Sequence, residues 1–360
     1  MEIIYMKLQD ILDLINQADS IEDFAIKNLL KLAVSDDGRF ILNYSEQTLG
    51  TPKSWTSHYC RGLTLAGAAH NYRIIAKSFD RFYNLTEEPE YLKDAKQIDF
   101  DQPFEVQFKF DGSLILQYLY EGKVCVNTRG SFAQSHISAL TKESWEEVFN
   151  RCNRSLLEKN LLEFPDCTYI WELCTPYNQV VEYHAESFAK CLGIVRQDGT
   201  EIRGHFEGQT YQCQNKDEIL ELLNTLKPTE EGFVIAQWDE ETQTYLRKKL
   251  KTKTWLELSH IKESALCSRS KLWEVVLKGE KDEVASVFGH IKDQMDQMWN
   301  QYQGILKEAN AEYELVRNIE NQKDFAIEIK DSKYKGCYFS VRAGKNTLIE
   351  SIQTFIKANL

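Results

Sequence analysis

The hydrophobic pattern of the chain changes near residue 255, and this change constrains the fold more than any other feature. Before it, short apolar or alternating runs are separated by turn residues, a pattern typical of antiparallel sheet. We expect strands over 40–44, 73–76, 104–108, 114–120, 123–128, 168–173, 179–183, 190–195, 232–237 and 245–250. We expect helices over 7–33, with a break at Asp19-Ser20, and near 138–162 and 216–226.

After residue 255 the apolar residues recur at spacings of three and four, which indicates helices. One such stripe covers 282–319 and another covers 348–356, whereas 324–330 and 338–342 fit either short strands or helix ends. The sequence therefore predicts an α+β fold. An antiparallel-sheet domain over 1–255 is followed by an all-helical or mainly helical C-terminal domain over 256–360.

Composition excludes several classes of protein. The formal net charge of −12 excludes a globally basic polyanion binder, but a local basic groove stays open. No run approaches the ~18 apolar residues of a membrane span, and the N-terminus lacks the features of a signal peptide. We therefore expect a cytoplasmic protein without a membrane partner. Nine cysteines without a C-x-x-C pair indicate reduced thiols, and the scattered histidines argue against structural zinc.

The sequence Lys109-Phe110-Asp111-Gly112-Ser113 lies between two predicted strands. A lysine at the end of a buried strand is costly to desolvate, and nearby cations lower its pKa further, so that it becomes a nucleophile. Asp111 and Gly112 favour a tight turn that would present the amine to a pocket. An ordinary hairpin with a hydrated lysine is the alternative interpretation, and K-x-D-G alone does not decide between them.

Later strands also carry charges. Glu172 lies within an apolar run, Glu231 comes directly before another, and the basic run 247–251 contains Lys249 and Lys251. Alternation along the strand places Lys248 on the face opposite Lys249. Charged side chains are rare in strand interiors unless they are paired or have a role in binding or catalysis. Two carboxylates with several cations are the groups needed to hold Mg²⁺ and a polyphosphate.

In this order, the motifs resemble those of the covalent nucleotidyltransferases, which include ATP-dependent DNA and RNA ligases and mRNA capping enzymes. Over residues 40–260 the sequence is most similar to phage-type ATP-dependent RNA ligases of the tRNA-repair branch. The pair Arg61-Gly62 resembles the arginine-glycine element of that branch. Residues 79–87 resemble its K-F-F-N-x-x-E element, and 172–181 resemble its glutamate, proline, asparagine and valine element. Arg129 precedes a glycine where the family has a basic residue.

The resemblance implies a reaction and a role for each matching residue. Lys109 would attack the α-phosphorus of ATP to form lysyl-AMP, and Lys249 and Lys251 would hold the α-phosphate. AMP would then pass to an RNA 5′-phosphate, and a 3′-hydroxyl would displace it. The ATP-binding residues implied are Arg61, Arg81, Tyr83, Gly112, Arg129, Glu172, Glu231 and Trp255. Glu172 would hold the ribose hydroxyls and Glu231 would hold Mg²⁺, with Mn²⁺ as an alternative metal.

The sequence departs from the family pattern at three positions. Arg81 and Arg129 stand where lysine is usual, and Trp255 stands where a tyrosine is expected. Arginine keeps the charge but changes the geometry of phosphate contact.

The resemblance also implies partners. They are RNA with 5′-phosphate and 3′-hydroxyl ends, including cleaved tRNA, and an end-healing kinase-phosphatase. We expect a monomer, and we expect the basic run 247–253 to contribute to a local positive groove. Two alternatives stay open: a DNA ligase or capping-type nucleotidyltransferase, and a non-catalytic protein that binds RNA ends. The helical tail argues against the first, because those enzymes continue into a β-rich OB-fold.

Overall fold

The computed structural model describes residues 6–45, 49–138, 141–153, 164–265, 269–279, 281 and 292–359. Over these residues antiparallel sheet is followed by helices, which confirms the predicted α+β class. The chain divides into two compact units, Met1–Leu256 and Glu257–Leu360. Among the described helices, none is both long and apolar enough to cross a membrane.

The described strands of the first unit form two five-stranded sheets, one four-stranded sheet and one two-stranded ribbon. They are β1 (Leu30–Val34), β2 (Arg39–Tyr44), β3 (Arg61–Ala66), β4 (Arg73–Ala76), β5 (Tyr83–Asn84), β6 (Glu105–Lys109), β7 (Ser113–Tyr120), β8 (Lys123–Thr128), β9 (His136–Ser138), β10 (Thr141–Ser144), β11 (Cys167–Cys174), β12 (Phe188–Arg196), β13 (Glu201–Ile202), β14 (Thr210–Tyr211), β15 (Gly232–Asp239) and β16 (Thr244–Lys251). The sheet orders are β1-β2-β3-β4, β13-β12-β11-β7-β8 and β14-β6-β15-β16-β5. All the pairs are antiparallel except β16 with β5.

The expected helical segment 7–33 is only partly helical. It forms α1 (Leu8–Gln17) and α2 (Ile21–Lys27), and the side chain of Ser20 accepts from the Asp23 N–H at 3.1 Å, so the predicted break is confirmed. The prediction is wrong after residue 27. Leu29 adopts a left-handed φ of 52°, which ends the helix, and β1 then pairs with β2.

The other described helices of the first unit are α3 (Trp55–Tyr59), α4 (Trp145–Asn153) and α5 (Lys216–Leu223). A further helix, α6 (Lys253–Ala265), crosses the division between the units. The expected helix near 138–162 is therefore present only from residue 145, because β10 occupies 141–144, and its part after 153 lies outside the described residues.

A single three-residue turn carries the chain from one five-stranded sheet to the other. Lys109 is the last residue of β6 and Ser113 is the first residue of β7, and the two strands belong to different sheets. Val106 on β6 and Ile115 on β7 are fully buried, so both strands are anchored in apolar cores. The turn at 110–112 is thereby held between two rigid elements.

The expected strand at 179–183 is not a strand. The backbone N–H groups of Val181 and Glu182 donate to the carboxylate of Asp111, at 2.7 and 2.6 Å, instead of to a neighbouring strand. Alternating apolar residues are therefore present in this segment without a strand, because its N–H groups donate to the buried Asp111 carboxylate and not to a neighbouring strand.

In the second unit the described elements are helices. They are α7 (Arg269–Lys278), α8 (Lys292–Val316), α9 (Gln322–Glu328), α10 (Lys335–Arg342) and α11 (Leu348–Asn359). The predicted stripe is confirmed from Met295 to Val316, which are both buried on α8, and its earlier part lies mostly outside the described residues. The segments that fitted either strands or helix ends form α9 and α10. Asn321 caps α9 by accepting from the N–H groups of Lys323 and Asp324.

Candidate active site

The side chains of two lysines meet at one buried carboxylate. Lys109 Nζ donates to Glu231 Oε2 at 2.6 Å, and Lys251 Nζ lies 2.8 Å from Glu231 Oε1. The sheet register explains the meeting, because Gly232 pairs with Lys109 on one side and with Lys251 on the other. Three charges predicted from separate parts of the sequence therefore form one cluster.

Gly232 is required at this position for space. Its φ is 144°, and a Cβ atom there would lie 2.0 Å from the Leu250 carbonyl oxygen. No side chain fits between these strands, so the glycine lets β15 and β16 approach closely beside the carboxylate.

The pKa of Lys109 differs from the expectation. Burial lowers this pKa, but the carboxylates of Glu231, Glu172 and Asp111 outweigh burial and hold the pKa above its ordinary value. The prediction of a lowered pKa is therefore wrong for this state of the protein. The pKa is raised because three acids surround the amine, whereas the prediction considered only burial and neighbouring cations.

The other two predicted lysines differ in their surroundings. Burial, followed by the charges of Lys251 and Lys109, lowers the pKa of Lys249 to about 8. The ammonium of Lys251 lies 4.0 Å from the centre of the Trp255 ring, which is buried beneath it. Lys248 points away and donates to the carbonyl oxygen of Glu87 at 2.9 Å, as the alternation of the strand indicates.

Glu172 is a buried acid that shares this electrostatic environment. It lies on β11 between Leu114 of β7 and Lys190 of β12, and only 9% of its surface is exposed. Burial, together with the charge of Glu231, raises its pKa to about 7, although Lys109 and Arg61 act in the opposite direction. The folded protein therefore favours the protonated form of this carboxyl group more than water does.

We expect the Glu172→Gln variant to be more stable than the wild type at pH 8. A raised carboxyl pKa means that the folded state favours the protonated form, so this group lowers the free energy of unfolding as the pH rises from about 4.5 to about 7. The neutral amide removes this penalty, which is worth about 1–3 kcal/mol. Urea unfolding at pH 5 and pH 8 measures it, with Glu240→Gln at an exposed acid as the control. A variant less stable than the wild type at pH 8 would contradict the assignment.

Three arginines gather around Tyr44. The Arg81 guanidinium lies 4.0 Å from the centre of the Tyr44 ring and donates to Ser57 Oγ at 3.0 Å, while Arg129 lies 5.2 Å from the same ring. Burial raises the pKa of Tyr44, but Arg61, Arg129, Arg81 and Lys249 together bring it below its ordinary value. We call Arg61, Arg81, Arg129 and Lys249 the cation cluster. A concentration of positive charge of this kind attracts a polyphosphate.

Tyr44 was missed by the sequence argument. It is the last residue of β2 and carries no charge, so nothing in its own neighbourhood of the sequence distinguishes it from a core tyrosine. Its position becomes informative only when β2, β3, β8 and β16 come together.

Arg61 and Tyr83 were predicted to bind ATP, and in the structure both side chains contact other protein groups. The Arg61 guanidinium donates to Ser78 Oγ at 2.8 Å and to the Phe79 carbonyl oxygen at 3.3 Å, so it is held against the segment that follows β4. Tyr83 is buried, and its hydroxyl lies 2.9 Å from that of Tyr91. Its ring centre lies 5.0 Å from the Arg81 guanidinium, which makes it a support for Arg81.

Asp111 and Gly112 fix the turn after Lys109. The Asp111 carboxylate, which is almost fully buried, accepts the two backbone hydrogen bonds from Val181 and Glu182. A Cβ atom on Gly112 would lie 2.6 Å from the Leu173 carbonyl oxygen, so no larger residue fits at this point of the turn beside β11. In the sequence Asp111 is distinguished only as a turn residue, and its contact with the segment 181–182 was not predicted.

Arg247, which was expected to contribute to the positive groove, is paired with an acid instead. Arg247 pairs with Glu201 through two bonds of 2.6 and 2.5 Å, and its guanidinium lies 3.9 Å from the centre of the Phe79 ring. Both charged side chains are buried. This arginine is therefore neutralised inside the protein and does not offer its charge to a polyanion.

Comparison with known proteins gives one family. A family model described as RNA ligase matches residues 59–259, more than half of the chain. The chain is 28% identical over 261 residues to the "Putative bifunctional polynucleotide kinase/RNA ligase" of Autographa californica nuclear polyhedrosis virus, covering 65% of this chain and 35% of that protein. This chain thus spans about a third of the viral protein.

Two further similarities span most of the chain. It is 23% identical over 404 residues to the RNA ligase of Rhodothermus phage RM378, covering 91% of each. Among solved structures, an archaeal ATP-dependent RNA ligase (form 2) aligns with a TM-score of 0.46 and 12% identity, covering 99% of this chain and all of the other.

Proposed function

Because this chain belongs to the RNA ligase family, we propose that it is an ATP-dependent RNA ligase that joins 5′-phosphate and 3′-hydroxyl ends. The observation that carries the proposal is the contact of Lys109 and Lys251 with Glu231, beside the cation cluster. A nucleophilic amine, a carboxylate and a concentration of positive charge are what transfer of AMP to a lysine requires.

In the first step, Lys109 Nζ forms a bond to the α-phosphorus of ATP as the bond to pyrophosphate breaks. An ammonium group has no lone pair, so Lys109 must lose a proton before it attacks. Glu231 Oε2, at 2.6 Å, is in position to hold that proton. The raised pKa of Lys109 means that the ion pair with Glu231 favours the ammonium form, which cannot attack until it loses its proton.

The neighbouring cations neutralise the phosphates. Lys249 and Lys251 are assigned to the α-phosphate through both transfers, and Arg61, Arg81 and Arg129 to the outer phosphates. Trp255 supports Lys251 from below and Tyr83 supports Arg81. Glu172 is assigned to the ribose hydroxyls, because a carboxyl group near its pKa accepts and donates hydrogen bonds.

A divalent metal fits this donor set as a companion of the nucleotide. The described residues contain no cluster of three or more His, Cys, Asp or Glu side chains that could enclose a metal. Mg²⁺ in nucleotide sites is held by one or two carboxylates with phosphates and water, so a single acid is sufficient. Glu231 would hold Mg²⁺, or Mn²⁺ in its place. When bound, the metal supplies positive charge to the phosphate oxygens.

The proposed substrate is RNA with broken ends, such as a cleaved tRNA. The name of the viral relative joins a polynucleotide kinase to an RNA ligase, which supports a healing enzyme that prepares the ends for this protein. AMP would move from Lys109 to the RNA 5′-phosphate, and the 3′-hydroxyl would then displace AMP as the phosphodiester forms. We propose a monomer in the cytoplasm, and light scattering tests the first point.

The test is a two-stage assay with the full chain and Mg²⁺. With α-labelled ATP we expect a labelled protein, and with 5′-phosphorylated RNA we expect a sealed product. RNA with a 5′-hydroxyl end and DNA of the same sequence are the controls, and neither should be sealed efficiently. Equal sealing of DNA would favour a DNA ligase, labelling by GTP instead of ATP would favour a capping-type enzyme, and RNA-end binding without lysyl-AMP would favour a non-catalytic protein.

A further inference from the structure

The turn that follows Lys109 is held by one segment outside both sheets. Both polar groups of Asp111 contact the segment 181–184, which we call the strap. The carboxylate accepts from two strap N–H groups, and the main-chain carbonyl oxygen lies 3.0 Å from Nε2 of His184. A carbonyl oxygen only accepts hydrogen bonds, so Nε2 of His184 carries the hydrogen and donates it.

This hydrogen bond acts on a peptide group that is otherwise easy to turn. The Asp111–Gly112 peptide precedes a glycine, which tolerates both signs of φ, and in the described structure residues 110–112 take no part in a strand ladder. Because a peptide group is planar, fixing the carbonyl oxygen also fixes the Gly112 N–H on the opposite side. The imidazole therefore sets the orientation of the turn immediately beyond the nucleophile.

The imidazole is itself held in place. The side chain of His184 is only 10% exposed, and its ring meets that of Phe188 edge to face with 5.3 Å between the centres. The carboxylate of Glu182 lies 4.0 Å from Nε2. A donor fixed in this way loses little entropy when it bonds the carbonyl oxygen, which favours one orientation of the peptide.

We infer that His184 is a positioning residue for lysyl-AMP formation, which it serves by donating to the Asp111 carbonyl oxygen and fixing the turn that aims Lys109. This inference rests on the proposed function. The strap follows β11, and β11 carries Glu172, so one continuous stretch of chain bears the acid assigned to the ribose and holds the turn of the nucleophile. His184 thereby connects the position of the nucleoside with that of the attacking amine.

Two variants separate the donor from the ring. His184→Phe keeps an aromatic ring against Phe188 but removes the N–H, whereas His184→Gln loses the ring but keeps a donor near the position of Nε2. His205→Phe, at an exposed histidine outside the strap, is the matched control. Single-turnover formation of lysyl-AMP is measured over a range of ATP concentrations, alongside thermal unfolding of each variant.

We expect His184→Phe to lower the maximal rate about tenfold while the ATP concentration for half-maximal rate changes little, because alignment is lost and not affinity. His184→Gln should keep most of the rate, and His205→Phe should keep all of it. A merely structural role would make the glutamine variant at least as slow as the phenylalanine variant, since only phenylalanine retains the ring packing. That result, or a wild-type rate in His184→Phe, would overturn the inference.

Hydrogen exchange separates this inference from the proposed function. Exchange of the Val181 and Glu182 amides, and of the turn, should accelerate in His184→Phe and stay near the wild-type rate in His184→Gln, with or without ATP. Unchanged exchange in His184→Phe would contradict the positional role even if the wild type forms lysyl-AMP. A wild type that forms no lysyl-AMP, but shows the expected exchange, would contradict the proposed function alone.

Discussion

Replacement of Lys109 by alanine is expected to abolish labelling of the protein by α-labelled ATP. The methyl group of alanine cannot form a bond to phosphorus, and Lys251, the other amine in contact with Glu231, is assigned to the phosphate and not to attack. The expected loss is complete within the sensitivity of a gel assay. Mass spectrometry of the wild-type protein after incubation with ATP and Mg²⁺ should place the AMP on the peptide that contains Lys109.

Two variants serve as controls for this experiment. Lys109→Arg retains a cation that can pair with Glu231, so it should fold normally and still not be labelled. Lys248→Ala removes a lysine from the opposite face of β16, where its ammonium donates to the Glu87 carbonyl oxygen, and this variant should be labelled normally. Persistent label on Lys109→Ala would show that another residue is the nucleophile.

Removal of the Glu231 carboxylate is expected to lower the rate of adenylylation by about 10²-fold or more, the scale for losing one preorganised electrostatic group. The carboxylate contacts the nucleophile, fixes Lys251 and is the proposed metal ligand, so Glu231→Ala affects all three. The rate of lysyl-AMP formation at saturating ATP measures the loss. Glu230→Ala, at the adjacent acid that pairs with Lys227, is the matched control and should react normally.

The same substitution should change the unfolding temperature little. The side chains of Lys109 and Lys251 are 22% and 19% exposed, so water can hydrate both ammonium groups once the acid is gone. A Glu231→Ala protein that unfolds early but remains active would show that the carboxylate serves folding and not chemistry.

The sequence predicted much of the sheet because burial on one face of a strand leaves alternating residues, and this pattern is local. The strands at 73–76 and 123–128 agree with the structure to the residue. Two failures arise from contacts distant in sequence. The segment 179–183 gives hydrogen bonds to Asp111, and the pKa of Lys109 is raised by Glu231, which is 122 residues away. Such contacts are set by packing and not by neighbouring residues.

Residues of the candidate site could be predicted from the sequence where a charged residue interrupts an apolar strand. Lys109, Glu172 and Glu231 all stood out for this reason, and the structure places them in one electrostatic environment. Tyr44 and His184 did not stand out, because one is an ordinary strand residue and the other is a lone histidine. Their surroundings are assembled from several elements, and no single stretch of sequence contains them.

The passage of the chain from one five-stranded sheet to the other directly after Lys109 has a mechanical consequence. The proposed nucleophile lies at the end of one sheet, whereas Glu172, the acid proposed to bind the ribose, lies on the other, so the distance between the two side chains depends on how the sheets pack. A substitution deep in either core, remote from any nucleotide, can then alter the attack angle while affinity for ATP stays the same. Directed evolution for faster adenylylation should therefore sample the seam between the sheets as well as the pocket.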